Sequence, residues 1–392
     1  MSAAPLSTDR GSAEMAASPT TLADVVAVAH AAAGAVDRDG RFPIEAVTAM
    51  RATGMLGAHV PVALGGAGLD VAGLTRVCFQ LGGACASSAM VYAMHQIQVA
   101  CLVGHAPDQV VHLARVAQDN LLLASVTSEV GARGDIRTSG CAIEREADEH
   151  VAVGFGRITK QATNVSYGAH ADGLIVTARR TPNAAPADQV AVLMFADQYT
   201  LERTGRWDAM GMRGTCSDAF VLRASVPDNQ IMAVPFADMA AGAMTPVAHL
   251  LWAGVWLGIA TDALGRARAC TRRQRGPDGG IPPAAGAVAA ALMRYRQGEA
   301  QLRTMLDDYG AGRPIGPLDW NGLKVGVSEV ALDVVTQAMR ICGIAGFKND
   351  GPYSVARHLR DIMSGVLMIG NERVVANSGN LALMQPPRLG AF

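Results

Sequence analysis

The chain has 392 residues, half of them hydrophobic, 17% charged and 5% aromatic, with a formal net charge of -1. That composition excludes a disordered polymer, and a balanced charge without any Lys/Arg block gives no bulk attraction to nucleic acid or to an anionic membrane. The length asks for two or three packed units, and seven scattered cysteines without C-x-x-C or metal-like spacing fit free thiols in a reducing cytoplasm.

In chain order, residues 1–20 read as a flexible Ser/Ala/Pro-rich tail without the apolar stretch of a signal peptide. Residues 21–120 read as an α-helical domain. An Ala-rich amphipathic run from Thr21 to about Val36 is followed by a helix over Ile44–Thr53, with Pro43 at its start and Gly54 as its stop. His59-Val-Pro-Val-Ala-Leu-Gly-Gly-Ala-Gly is a loop that no helix runs through, and helix resumes near Val71, over Ser87–Leu102 and over Asp108–Gln118.

Residues 121–235 read as a central β-domain. Strand-like runs lie at Leu121–Ser128, Val151–Phe155, Gly173–Ala178, Val190–Phe195 and Ala219–Ala224, between polar turns. Residues 236–392 return to helical periodicity. Helices are expected over Val247–Arg275, Ala284–Tyr309, Leu323–Cys342 and Tyr353–Leu383, an antiparallel four-helix bundle with an Ala/Gly-rich face. The longest apolar run, Leu250–Ala260, reads as too short to span a bilayer, so the expectation is a cytoplasmic protein with no membrane segment.

Six local motifs fall in a fixed order along this α+β plan. Phe42-Pro with Gly54-Met-Leu-Gly and Val60-Pro-Val-Ala-Leu-Gly-Gly-Ala-Gly-Leu-Asp comes first, then Ser125-Val-Thr-Ser-Glu-Val-Gly-Ala-Arg-Gly-Asp. Val165-Ser-Tyr-Gly-Ala-His-Ala-Asp, Met210-Gly-Met-Arg-Gly-Thr-Cys-Ser, Gly343-Ile-Ala-Gly and Arg357-His-Leu-Arg-Asp follow. Over about residues 40–385 this order resembles the acyl-CoA dehydrogenase superfamily: a helical domain, a central β-barrel or sandwich, and a C-terminal four-helix bundle.

The resemblance implies an FAD enzyme and assigns residues to it. Thr127 and Ser128 would offer donors to the pyrimidine edge of the flavin, which gathers negative charge on reduction; on their own residues they equally suit a solvated Gly-rich turn. Ser166 stands where the family puts a flavin-contacting Thr, and Asn164 where it usually puts a stacking aromatic. Arg213 would pack beside substrate, or serve as a salt-bridging scaffold residue. Arg272 stands at a family arginine that binds the FAD diphosphate of a neighbouring subunit, a task suited to a guanidinium fork, although Arg273 and Arg275 make an ordinary exposed helix end equally credible. Gly343 and Gly346 would let backbone approach the same cofactor, with Arg340 in place of a family Gln.

The family's catalytic carboxylate is missing. Desaturation of an acyl thioester removes an α-proton while hydride leaves Cβ for flavin, so a base must face the ring. The usual position is Ile369 here and the rarer one, before Ala253-Gly-Val-Trp-Leu-Gly, is Ala248; neither takes a proton. Glu372, three residues past the usual place, and His249, beside the rarer one, are the substitutes. Each has a bland alternative: a surface Glu paired with Arg373 or Arg357, and a core or interface histidine.

Three functions stay open on this basis. The first is FAD-dependent desaturation of an acyl thioester, on CoA or a carrier protein, with an electron-accepting flavoprotein or oxygen as partner. The second is a flavin-dependent monooxygenase or N-hydroxylase of the same superfamily, which needs no α-proton base. The third is a catalytically silent subunit of a mixed flavoprotein. A homodimer or homotetramer is expected in each case.

Overall fold

Thr21 starts the first helix for a local reason. Its hydroxyl accepts the Asp24 N–H while the Asp24 carboxylate accepts the Thr21 N–H, so two otherwise orphaned donors are satisfied. In the computed structural model, which describes residues 20–132, 136–145, 154–274 and 279–384, this helix is α1, Leu22–Asp39. It ends at Gly40, whose φ of 58° is the left-handed stop that glycine adopts without steric cost. Helices α2 (Ile44–Ala52), α3 (Val71–Ala84), α4 (Ala86–His105) and α5 (Val110–Gln118) complete the N-terminal part. The Pro/Gly loop ends at Asp70, whose side chain accepts the Gly73 N–H and caps α3.

Eight strands follow: β1 (Leu123–Val126), β2 (Glu144–Arg145), β3 (Phe155–Val165), β4 (Gly173–Arg179), β5 (Gln189–Phe195), β6 (Tyr199–Gly205), β7 (Asp218–Pro227) and β8 (Ile231–Pro235). Among the described residues they form two four-stranded sheets, ordered β1-β4-β5-β8 and β2-β3-β7-β6. Of the strand pairs among the described residues, β1–β4 is the parallel one. The expected strand from Val151 starts at Phe155 among the described residues; 151–153 lie outside them.

Most of β3 and all of β6 and β8 were not legible as strands. The buried positions of β3 are Gly156, Ile158, Lys160, Ala162 and Val165, so a glycine and a lysine interrupt the apolar face that would mark a strand. Lys160 is tolerated inside because its ammonium donates to the Thr177 carbonyl and hydroxyl and lies 3.7 Å from Glu129.

The C-terminal part begins with α6 (Phe236–Met239), which runs through a π-turn into α7 (Thr245–Arg272). It continues with α8 (Ala285–Gly310), α9 (Pro317–Cys342), α10 (Ile344–Phe347), α11 (Ala356–Leu367) and α12 (Asn371–Met384). Two expectations are corrected here. The continuous apolar helical segment Phe236–Arg272 is long enough to cross a membrane by length and composition, but 94% of its apolar window is buried inside the protein, which marks a core helix. The expected helix Tyr353–Leu383 is two helices, broken where Ile369 and Gly370 take φ of 64° and 68°. Asn371 pins the start of α12 to α9 through Lys324 and Ser328, which resets the helical phase after the break.

α7 is the axis of the molecule, with α3 on one side and α9 on the other. Its contact with α3 is backbone to backbone. A Cβ at Gly258 would sit 2.1 Å from the Phe79 carbonyl oxygen, and one at Gly82 would sit 2.5 Å from that of Val255. Gly258→Ala should therefore force the two helices apart and lower stability by about 2–3 kcal/mol. Chemical denaturation would measure it; an unchanged midpoint would show that the helices have slack.

Candidate functional site

The motifs that carry the family resemblance first act as fasteners between the three parts. Phe42 stacks on His170, with centroids 4.2 Å apart and planes within 6°. Asp172 accepts from the Leu122 N–H and from Arg51 on α2, both at 2.7 Å. Buried His95 on α4 donates through Nε2 to the Leu56 carbonyl and accepts the Leu123 N–H at Nδ1; burial pushes its pKa down to about 4, so it stays neutral. Glu129 accepts Ser139 Oγ and the Gly140 and Cys141 N–H groups, which makes this motif residue a turn anchor.

The decisive junction lies between the β6–β7 connection and α11. The Met212 N–H donates to Asp361 Oδ1 at 2.7 Å, and a Cβ at Gly211 would sit 2.0 Å from the Arg360 carbonyl oxygen. Glycine is required there by that approach. Asp361 is 4% exposed, and burial raises its carboxyl to about 6, against the opposing pull of the Met212 N–H and Arg357.

Beside this junction is a cavity of about 460 Å³, between the β-domain on one side and α4, α11 and the Ile369 corner on the other. Its walls are apolar, formed by Met90, Met94, Trp207, Met212, Met363, Met368 and Ile369. One edge carries a row of hydroxyls. Thr215 Oγ1 donates to the Met212 carbonyl at 2.9 Å, Ser217 Oγ lies 2.8 Å from Thr215 Oγ1, and Ser166 Oγ lies 2.9 Å from Ser217 Oγ. The carbonyl can only accept, so Thr215 spends its proton there. Ser217 then donates to Thr215 and Ser166 to Ser217, which leaves Ser166 as an acceptor on the cavity edge. Among the described residues lining this cavity, Arg360 is the one ionisable side chain.

The cavity suits an isoalloxazine ring. Its volume falls in the roughly 300–1,000 Å³ range of small-molecule sites. Its walls are mostly apolar, and the free lone pairs of Ser166 match a ring N–H.

The residues singled out in the sequence are distributed unevenly around it. Ser166 and Asn164 line it, as does Ile369 at the usual base position. The left-handed φ of Ile369 is unfavourable for a β-branched residue by roughly 1–3 kcal/mol, a strain that functional loops retain. Thr127 is half-buried at the end of β1, and Ser128 is engaged with the backbone of Asn164 through both its donor and its acceptor. Glu372 is exposed on the first turn of α12 and does not line the cavity, because the break at Ile369–Gly370 turns it outward. His249 is 4% exposed and packs beside Trp252. Its Nδ1 donates to the Trp320 carbonyl at 3.0 Å, and burial lowers its pKa to about 4.

Arg213 is held by the Asp37 and Ala209 carbonyls and faces a second, polar chamber. Arg272 is exposed at the end of α7, where Arg273 lies 5.9 Å from the Tyr353 ring. Gly343 ends α9 with φ 57° and ψ -136°, a conformation reserved for glycine, and Gly346 is buried against Cys342. Ser217, Thr215 and Asp361 were missed as site residues. Their signal was present in the Met210–Ser217 and Arg357–Asp361 motifs, but which of them face a cavity depends on contacts between distant elements.

Comparison with known proteins agrees with this geometry. The N-terminal domain model of acyl-CoA dehydrogenases matches residues 20–111 and the C-terminal domain model matches residues 247–380. A cyclohex-1-ene-1-carbonyl-CoA dehydrogenase of Syntrophus aciditrophicus is 24% identical, over 90% of this chain and 85% of its own length. An amino sugar nitrososynthase of Streptomyces peucetius is 26% identical, over 85% of this chain and 84% of its own. The crystal structure of a dibenzothiophene monooxygenase from Paenibacillus sp. A11-2 superposes with a TM-score of 0.76 at 19% identity, covering 93% of this chain and 97% of that one. Helical caps around a two-sheet middle, with an apolar slot at the junction, define an acyl-CoA dehydrogenase-like flavoprotein oxidoreductase. The chain belongs to the acyl-CoA dehydrogenase family.

Asp361 gives this site a pH signature. Its ordinary pKa of 3.8 applies to the unfolded chain, and about 6 to the folded one. Between those values the folded protein keeps a proton that the unfolded chain has released, so this group's contribution to stability falls as pH rises through the window. Asp361→Asn keeps an acceptor for the Met212 N–H without the charge. It should exceed the parent in stability by on the order of 2 kcal/mol at neutral pH, with the difference vanishing below about pH 4. Denaturation at both pH values checks this; equal differences at the two would contradict it.

Proposed function

We propose that the chain is a flavin-dependent monooxygenase, one of the alternatives that the sequence leaves open. The observation that carries this reading is the lack of any carboxylate or imidazole among the described residues lining the apolar cavity, where the family's proton-abstracting base would stand. Oxygenation transfers one oxygen atom to substrate and releases the other as water, with two electrons from reduced flavin and two protons, and it needs no α-proton base. The similarity to a nitrososynthase over 85% of the chain supports the reading.

The chain's own residues fit that task. Ser166 would accept the ring N–H that only the reduced flavin carries, so the hydroxyl row favours the reduced state. The methionine walls would keep bulk water from the reacting face. Thr127, Arg272, Gly343 and Gly346 would hold FAD, with Arg272 and the two glycines serving the diphosphate across a homodimer or homotetramer. Exposed Ile344 and Phe347, 74% and 70% accessible beside Gly343, support such a subunit contact.

A second reading, desaturation of an acyl thioester with electrons passed to another flavoprotein, is favoured by the similarity to a cyclohexenecarbonyl-CoA dehydrogenase over 90% of the chain. It requires Glu372 or His249 to reach a cavity that neither lines.

One pair of measurements separates the two. With chemically reduced flavin and air, the protein should consume oxygen and return oxidised flavin; mixed anaerobically with a panel of acyl thioesters, its visible flavin band should persist. Bleaching by a thioester would overturn the oxygenase reading. Ile369→Glu supplies the missing carboxylate at the cavity and should bring about thioester-dependent bleaching that the parent lacks; bleaching by the parent as well as the variant would contradict the account.

A further inference from the structure

Six of the residues around the apolar cavity are methionines: Met90 and Met94 on α4, Met210 and Met212 on the β6–β7 connection, and Met363 and Met368 on α11 and just past it. They are a third of the 18 methionines in the chain, gathered on one wall. Dryness alone does not ask for them, because leucine makes an equally apolar surface. A thioether adds a polarisable sulfur whose lone pairs are open to oxidation without any proton having to leave first.

The six are not equally open. Met90 and Met212 are buried in the core. Met94, Met363 and Met368 keep part of their surface free, and all three line the cavity. Met210 is 56% exposed and stands at the mouth that the cavity shares with a larger chamber of about 830 Å³, lined by arginines of α1, the β6–β7 connection, α7 and α11. Bulk water reaches Met210 directly, whereas an oxidant formed inside the cavity meets Met94, Met363 and Met368 first.

Little else on this wall competes for such an oxidant. Among the described residues lining the cavity there is no cysteine, and the Trp207 indole is engaged through Nε1 with the Met212 carbonyl at 3.1 Å. The thiol of nearby Cys216 donates to the Gly40 carbonyl at 3.8 Å, and Cys216 does not line the cavity.

Dioxygen that takes two electrons and two protons from reduced flavin, and finds no substrate, leaves as hydrogen peroxide. A thioether sulfur attacks one oxygen of that peroxide. The O–O bond breaks as the S–O bond forms, and the proton on the transferred oxygen passes to the departing hydroxide. Sulfur loses two electrons and the peroxide gains them, so the products are methionine sulfoxide and water. The sulfoxide oxygen is a strong acceptor placed in a wall with few donors, so it draws water onto a surface that was dry.

We propose that Met94, Met363 and Met368 are the sites at which the protein oxidises itself when oxygen is reduced without substrate, and that their sulfoxides weaken its hold on flavin. The inference rests on the oxygenase reading of the cavity, and its test separates the two.

Protein saturated with chemically reduced FAD is exposed to isotopically heavy dioxygen, without substrate and with catalase in solution. Oxygen uptake is recorded, and peptides are mapped by mass spectrometry against an anaerobic control. Met94, Met363 and Met368 should carry heavy oxygen at least fivefold above Met293 and Met384, which are 69% and 80% exposed and report peroxide in bulk water. Flavin affinity of the oxidised protein should be at least tenfold below that of the control. A variant combining Met94→Leu, Met363→Leu and Met368→Leu should keep its own starting affinity through the same exposure; if it does not fold, the peptide map and the affinity of the parent decide. Oxygen uptake with the three thioethers intact, or no richer in sulfoxide than Met293 and Met384, overturns the inference and leaves the oxygenase reading in place. So does full flavin affinity after the three are oxidised. Absence of oxygen uptake overturns both.

Discussion

Everything proposed for this protein depends on the contact that holds the β6–β7 connection against α11. The Met212 N–H donates into a buried Asp361 carboxylate, and Gly211 lets the two backbones meet at the Arg360 carbonyl. This contact sets one face of the apolar cavity and, through Met210 and Arg360, the mouth between it and the arginine-lined chamber. A buried carboxylate that is costly to keep charged is a weak stabiliser, yet it is directional, and direction is what a slot between two parts of the fold requires.

The chemistry follows from what this arrangement brings in and what it leaves out. The hydroxyls of Thr215, Ser217 and Ser166 form a chain whose proton direction is fixed at one end by a carbonyl, so an acceptor faces the cavity at the other. A left-handed Ile369 stands where family members place their base, and the helix break beside it turns Glu372 to solvent. In this chain that position carries a side chain that takes no proton. On that combination the proposed oxygenase reading rests.

The layout was readable from sequence where periodicity or a motif order carried it. Helix, strand and bundle segments follow from apolar spacing, and six motifs in order pointed to the family. What could not be read arises from contacts distant in sequence. β3 hides because Gly156 and Lys160 interrupt its inward positions, the lysine acceptable only because Thr177 and Glu129 meet it. The split between α11 and α12 hides because Ile369 is not a residue that announces a left-handed turn. His249 looked like a candidate base because it adjoins a family position, whereas its burial and its bond to Trp320 depend on how α9 packs on α7. The arginines of the second chamber are scattered over more than 300 residues, and only the fold assembles them.

The central claim is that the junction of the β-domain with α11 creates the flavin slot. Gly211→Ala tests it most directly, because the added methyl meets the Arg360 carbonyl and pushes the connection, on which Gly211 itself lines the cavity, away from the helix. Flavin affinity, measured by fluorescence titration alongside far-ultraviolet circular dichroism, should fall at least tenfold in this variant while helical content stays at the parent level. A variant that binds flavin as tightly as the parent would contradict the account.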